Sequence, residues 1–312
     1  MNATAAADAA TTTQALAPVV LDLDASVGPL PGEVRLPLRD AWQERLRFGC
    51  TTCTMKAFRT ELDARMPAFN AHGTVFLGSG DFHHLSWPLI ERCIAARGFT
   101  RANPLHVLVL DNHPDNMRFP FGVHCGSWVR RVAMLPQVAH VNVVGITSGD
   151  IGAGHAWENY LGPLRAGKLT YWSTGVDTSW SRWLGVGDRF RSFPDVDALV
   201  GAVMCMLSRQ SLPTYLSIDK DVFSPRVVRT NWDQGSLEAR HVAAVLTGLR
   251  GHLVGSDVTG DVSTHRYATA WKRWLSAGDG QDTGAEQAEM PAWQAAQAAF
   301  NVWLLDMLEM DS

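Results

Sequence analysis

Seven short apolar runs rich in β-branched residues recur along this chain, at 18–23, 74–79, 104–111, 139–146, 168–173, 213–219 and 252–258. Helical spacing fills several of the gaps between them, and that alternation limits the fold more than any other feature. Met55, Phe58, Leu62, Met66 and Phe69 fall at steps of three and four, the period of a helix with one buried face. Residues 194–208, 237–250 and 291–309 also read as helices, the last opened by Pro291. Strands that alternate with helices pack as a mostly parallel sheet covered on both faces. The expected fold is therefore α/β, a three-layer α/β/α sandwich.

Two of the apolar runs lead straight into acid. Asp111-Asn112-His113-Pro114-Asp115 follows Leu105–Leu110, and Ser217-Ile218-Asp219-Lys220-Asp221 follows Pro213–Leu216. In extended chain, residues two apart share a face, so Asp111, His113 and Asp115 can converge, as can Asp219 and Asp221. Two like charges about 4 Å apart repel by roughly 4 kcal/mol at an effective dielectric of about 20. Metal is the simplest remedy, since four carboxylates offset two divalent ions. Carboxylate and imidazole donors suit manganese and require no thiolate. A third contributor is Gly78-Ser79-Gly80-Asp81-Phe82-His83-His84, where His83 or His84 can reach the same end of the sheet. In open parallel sheets, ligands bind outside the carboxyl ends of the strands, where all three strings fall.

Composition removes several alternatives. The 312 residues are 46% hydrophobic, ample for a core, and the net charge of −4 gives no basic footprint for nucleic acid or an anionic membrane. No apolar run approaches the roughly 20 residues of a membrane span. Cys50, Cys53, Cys93, Cys125 and Cys205 are too few and irregular for a disulfide framework and suit a reducing cytoplasm. Cys50-Thr51-Thr52-Cys53 has no second Cys or His pair at zinc spacing. Gly78-Ser79-Gly80 lacks the third glycine of a dinucleotide fingerprint. Residues 1–17 have neither a basic start nor an apolar centre and read as a disordered tail rather than a signal peptide. The remainder, 18–312, shows no repeat or boundary and reads as one domain, with the polar stretch 276–290 as a loop before the last helix.

Taken in order, the three strings resemble those of the ureohydrolase superfamily, the arginase and agmatinase relatives, over roughly residues 74–260. The resemblance implies an arginase-type sandwich with two Mn2+ ions. Asp111 and Asp219 would bridge them, His83 and Asp115 would complete one shell, and His113 and Asp221 the other, with His84 the alternative to His83. Gly122-Val123-His124-Cys125-Gly126 resembles the family's histidine-bearing loop at the active-site mouth. His124 would there shuttle protons, which its near-neutral intrinsic pKa permits; a loop histidine bonded to backbone is the other reading. Cys125 beside it is expected to be buried and inert.

The chain also departs from the pattern. The family's final Asp-Pro is Ser224-Pro225 here, and its guanidinium-gripping glutamate falls where this chain has Asp257-Val258-Thr259-Gly260-Asp261. Either Asp257 or Asp261 takes over substrate binding, or the substrate differs. Loop 222–235 supplies Arg226 and Arg229, which either pair with a substrate carboxylate or are solvated charges. The expected activity is hydrolysis of a C–N bond in a guanidino or amidino compound, with a small, cationic substrate and the ions activating water. A deacetylase-like amide hydrolase holding one metal, and a non-catalytic binder on the same scaffold, are the alternatives. A homo-oligomer in the cytoplasm is the expected form.

Overall fold

A computed structural model describes residues 16–273 and 289–309. The strands are β1 (Val19–Asp22), β2 (Val34–Pro37), β3 (Gly49–Cys50), β4 (Val75–Phe76), β5 (Leu105–Leu110), β6 (Val123–His124), β7 (Val138–Ile146), β8 (Leu169–Thr174), β9 (Phe190–Phe193), β10 (Thr214–Asp219) and β11 (Leu253–Thr259). Nine of them form one sheet in the order β2-β1-β4-β11-β10-β5-β7-β8-β9, with every pairing parallel. The remaining two, β3 and β6, pair antiparallel as a two-stranded patch.

Parallel strands covered on both faces need apolar residues on both sides, and the central strands supply them. All six residues of β5 are buried, and they divide by parity. Val107 and Val109 join one core cluster with Met55, Phe58 and Leu62 of helix Thr52–Arg65, while Leu108 and Leu110 join a second. That second cluster takes in helices Val196–Leu207, Ala239–Gly248 and Met290–Glu309. Burying each such side chain contributes roughly 1.5–3 kcal/mol. Three layers result, as the sequence implies.

Every one of the seven expected strands is present, though β4 is shorter than 74–79 because Gly78 turns the chain at φ +85°. The sequence reading misses the two edge strands, β2 and β9. Their sequences, Val-Arg-Leu-Pro and Phe-Arg-Ser-Phe, are short, charged and half-exposed, as edges must be to avoid pairing with other chains. Of the tail, only Leu16 and Ala17 lie within the described residues, and the polar stretch 276–290 lies almost wholly outside them. No helix of the described residues is long and apolar enough to cross a membrane.

Strand order sets the position of the site. The chain builds outward from β5 through β7, β8 and β9, then returns to insert β10 and β11 between β5 and β4. That reversal leaves a crevice at the carboxyl ends of β4, β10 and β5, where the acidic strings emerge.

Candidate metal centre

The backbone brings the acids together by turns rather than by one extended face. The Asp111 carboxylate accepts from the His113 N–H at 2.6 Å, and Asp115 sits at φ +47°, a left-handed conformation that aspartate tolerates better than most residues. After β10 a short 3₁₀ turn, Lys220–Val222, lets Asp219 accept from the Asp221 N–H at 3.2 Å. The residues that extended periodicity groups do converge, but through turns rather than on one extended face.

Two groups of donors result, each with its ligand atoms within 4.8 Å of one another: His83, Asp111 and Asp115, and Asp111, His113 and Asp221. They share Asp111. His83 Nδ1 lies 2.9 Å from Asp115 Oδ2, 3.2 Å from Asp111 Oδ2 and 3.4 Å from Asp219 Oδ2. His113 Nδ1 lies 3.0 Å from Asp221 Oδ2 and 3.6 Å from Asp111 Oδ1. Asp219 is in neither group and approaches the first through His83.

The outward nitrogens of both rings are already engaged. His83 Nε2 lies 3.0 Å from Ser217 Oγ, whose own proton goes to Asp257 Oδ1 at 2.7 Å. Ser217 thus accepts from Nε2–H, and His83 Nδ1 is left as a lone pair facing carboxylates. Likewise His113 Nε2 lies 2.7 Å from Asp233 Oδ1. A lone pair aimed at carboxylate oxygens is repulsive unless a proton or a cation lies between, and an outer carboxylate or hydroxyl behind each imidazole is the usual support of a metal-ligating histidine. Asp111 Oδ2 is buried and accepts no well-directed hydrogen bond. These residues fit a pair of divalent cations.

Without a cation the charges distort one another. Burial, then the Asp111 charge, pushes Asp115 up to about 7 and Asp221 up to about 6. Burial and Asp221 raise Asp219 well above the usual carboxylate range. Burial opposes the imidazolium of His83 and of His113, yet the carboxylates outweigh it and hold both well above the ordinary histidine value.

The donors line a cavity of about 460 Å³ together with Met117, His124, Asp150, Glu158, Trp232 and Asp233. His124 is buried, its ring stacked on Phe48 at 5.8 Å and met edge-on by Phe119 at 4.6 Å. Its Nδ1 accepts from the Gly126 N–H at 3.1 Å, so the neutral ring carries its proton on Nε2. Burial lowers its pKa to about 4. The ring is bonded to backbone, as one of the two readings has it, and also lines the cavity.

Four residues singled out in the sequence stand elsewhere. His84 is fully buried, and neither metal-competent group includes it. Asp257 is fully buried behind His83, accepting from Ser86 Oγ, Ser217 Oγ and Tyr215 OH at 2.7–2.8 Å. Asp261 is buried and takes the Lys220 ammonium at 2.8 Å. Arg229 is exposed and, like Arg226, does not line the cavity. The expected substrate roles of Asp257, Asp261 and Arg229 are corrected by these placements: two carboxylates are spent inside the protein and the arginine faces solvent. Gly260 closes the same strand end at φ +93°, and a Cβ there would lie 2.5 Å from Asp219 Oδ1. No side chain can reach the cavity from that position.

Sequence reasoning missed Trp128, whose Nε1 donates to Asp115 Oδ2 at 2.6 Å, as well as Asp150 and Glu158. Nothing in their spacing marks them. Trp232 and Asp233 lay within the loop that was expected to reshape the pocket, and they do line it.

Comparison with known proteins agrees with this architecture. Over 95% of this chain and 97% of the other, the fold matches a Clostridium difficile protein assigned as an agmatinase, with a TM-score of 0.51 and 12% identity. A variant of Trypanosoma cruzi formiminoglutamase solved with Mn2+ matches at 0.50 and 15% identity, over 83% of this chain and 72% of that one. Streptomyces clavuligerus proclavaminate amidino hydrolase overlaps 84% of this chain and 71% of its own at 0.49, with 19% identity. The chain thus shares their three-layer fold, with a His/Asp cluster at the sheet's carboxyl edge. At these identities the likeness is one of fold. By sequence, an uncharacterized Thermotoga maritima protein is 25% identical over 190 residues, 61% of this chain. The match takes in only 58% of that protein's length. No family model matches the chain.

Proposed function

We propose that this protein is a manganese-dependent hydrolase that cleaves a C–N bond of a guanidino or amidino compound. One observation carries the reading: two His/Asp donor groups share Asp111 at the wall of a cavity large enough for a small substrate. When bound, two divalent cations supply Lewis acidity and activate water. The chain's own residues do the rest. Ser217 and Asp233 hold the two imidazoles with Nδ1 inward. His124, kept neutral by burial, presents its Nε2–H at the cavity wall as a hydrogen-bond donor that can orient a departing amine rather than protonate it. Trp232 and Met117 add apolar surface to the cavity wall.

The cavity favours a cation. Asp150, Glu158 and Asp233 line it, and no arginine or lysine does among the described residues. A substrate carboxylate would find no guanidinium or ammonium among the described lining residues, so the carboxylate pairing considered for Arg226 and Arg229 has no support in the cavity. The presence of donors for a second cation argues for this reading over a one-metal amide hydrolase.

The test is urea and ammonia release from a panel of guanidino and amidino compounds by manganese-reconstituted protein. Turnover that is lost in Asp111→Ala is the expected result. A metal-replete protein inert towards the whole panel would overturn the proposal and favour a binder on the same scaffold.

A further inference from the structure

Opposite the metal centre, the amino ends of β4, β10 and β11 enclose a second cavity of about 340 Å³. Met66, Phe69, Leu89, Val254 and Leu308 give it apolar walls. That volume and lining, with a few polar groups, are those of a small-molecule site. Gly255 lets the Phe69 and Tyr215 rings pack close against β11, since a Cβ there would lie 2.8 Å from Phe69 Cζ and 3.0 Å from the Tyr215 ring.

The polar groups at this cavity are unevenly satisfied. His72 is 6% exposed, and its Nδ1 lies 2.8 Å from the Gly73 carbonyl, which can only accept. Nδ1 therefore carries a proton. Burial disfavours a second one, so Nε2 is a bare acceptor, and it has no hydrogen-bond partner. A buried acceptor without a donor costs free energy, and a ligand donor would recover it. Arg92 gives its Nη atoms to Asp63 and to the Pro67 carbonyl, while its Nε is buried without a partner. Arg97 ends helix Ser86–Arg97 with its guanidinium 5.7 Å over the Phe69 ring. Glu309 is the single carboxylate among the described lining residues, against these two arginines.

We infer that this cavity binds a small aromatic carboxylate carrying an N–H or O–H donor. Its ring packs against Phe69 and Tyr215, its donor meets His72 Nε2, and its carboxylate meets Arg92 and Arg97. Each ligand feature answers one feature of the cavity: apolar aromatic walls, an unfilled acceptor and spare cationic donors. The site is separate from the metal centre and does not depend on the hydrolase proposal.

Calorimetric titration of the manganese-loaded full chain with indole-3-acetate tests it, because that probe has a ring, an N–H and a carboxylate. One equivalent should bind saturably. Indole-3-acetamide, without the anion, and 1-methylindole-3-acetate, without the donor, should each bind at least about tenfold more weakly. Arg97→Ala and His72→Phe should weaken indole-3-acetate by a similar factor, with thermal unfolding of Arg97→Ala unchanged. If His72→Phe does not fold, the methylated probe still reads the same contact. Absence of saturable binding, equal affinity for the three probes, or binding that survives Arg97→Ala but is lost in Asp219→Asn overturns the inference.

Discussion

Two sets of aspartates crowd the carboxyl edge of this sheet, and they are neutralised in opposite ways. Asp24, Asp81 and Asp261 face cations that the chain itself supplies. Arg47 Nε lies 2.6 Å from Asp81 and its Nη1 3.2 Å from Asp24, while Lys220 holds Asp261 at 2.8 Å. Asp257 has no cation but takes three hydroxyl donors. Asp111, Asp115, Asp219 and Asp221 have two imidazoles, whose outward nitrogens are already engaged, as their ion-pair partners among the described residues, beside the Trp128 N–H on Asp115 and single backbone N–H groups on the other three. A carboxylate that finds an internal cation or a full set of donors is structural. A cluster that finds neither has the donor set that a cation from outside could fill.

Breaking the internal set should have the largest effect. Lys220→Met leaves Asp261 charged and buried, and losing one partner of a buried pair costs about 3–5 kcal/mol. Urea unfolding of the metal-free protein measures it, and a loss below about 1 kcal/mol would mean that Asp261 does not rely on Lys220. The same class of change in the other set should act in the opposite direction. Asp219→Asn removes one of four crowded charges, so the metal-free protein should be no less stable, while manganese binding is lost. If Asp219→Asn instead unfolds the apo chain, the two sets are not different in kind.

The raised pKa values sharpen the contrast through pH. Asp115 and Asp221, pushed up to about 7 and 6, keep their protons in the fold at pH values where the unfolded chain has lost them. Their contribution therefore falls as pH rises from about 4 to about 7. His83 and His113, raised above the usual value of about 6.5, add stability that is full below it and lost as pH climbs through their folded values. All four push one way. The thermal stabilisation given by saturating manganese should accordingly be larger at pH 8 than at pH 5, and a gain that is flat with pH would contradict the electrostatic picture.

Smaller effects are expected behind the ligands. Asp257→Asn weakens the hold on Ser217 and so on His83, and should reduce metal affinity by about 10–100-fold. His124→Leu should leave metal content intact and slow turnover by about 5–150-fold, the loss of one hydrogen-bond donor worth about 1–3 kcal/mol. An unchanged rate across pH 6–9 would return His124 to a purely structural role.

The order of elements and the candidate ligands were legible because both are local. Strand runs such as Leu105–Leu110 declare themselves by burial on two faces, and the acids follow them within five residues. What was not legible is pairing. Asp257 and Asp261 look as available as Asp219 in the sequence, and only the fold brings Lys220 to one and Tyr215 to the other. The edge strands β2 and β9 escaped because their sequences are made to look unlike a core strand. Trp128 escaped because a buried tryptophan reads as packing until its Nε1 is seen on Asp115.

Anomalous scattering at the manganese edge, from crystals soaked in excess Mn2+, tests the central claim most directly. Two peaks should appear per chain, one beside His83 and Asp115 and one beside His113 and Asp221, both within reach of Asp111. One peak, or none, in crystals with these side chains in place would contradict a centre built for two cations.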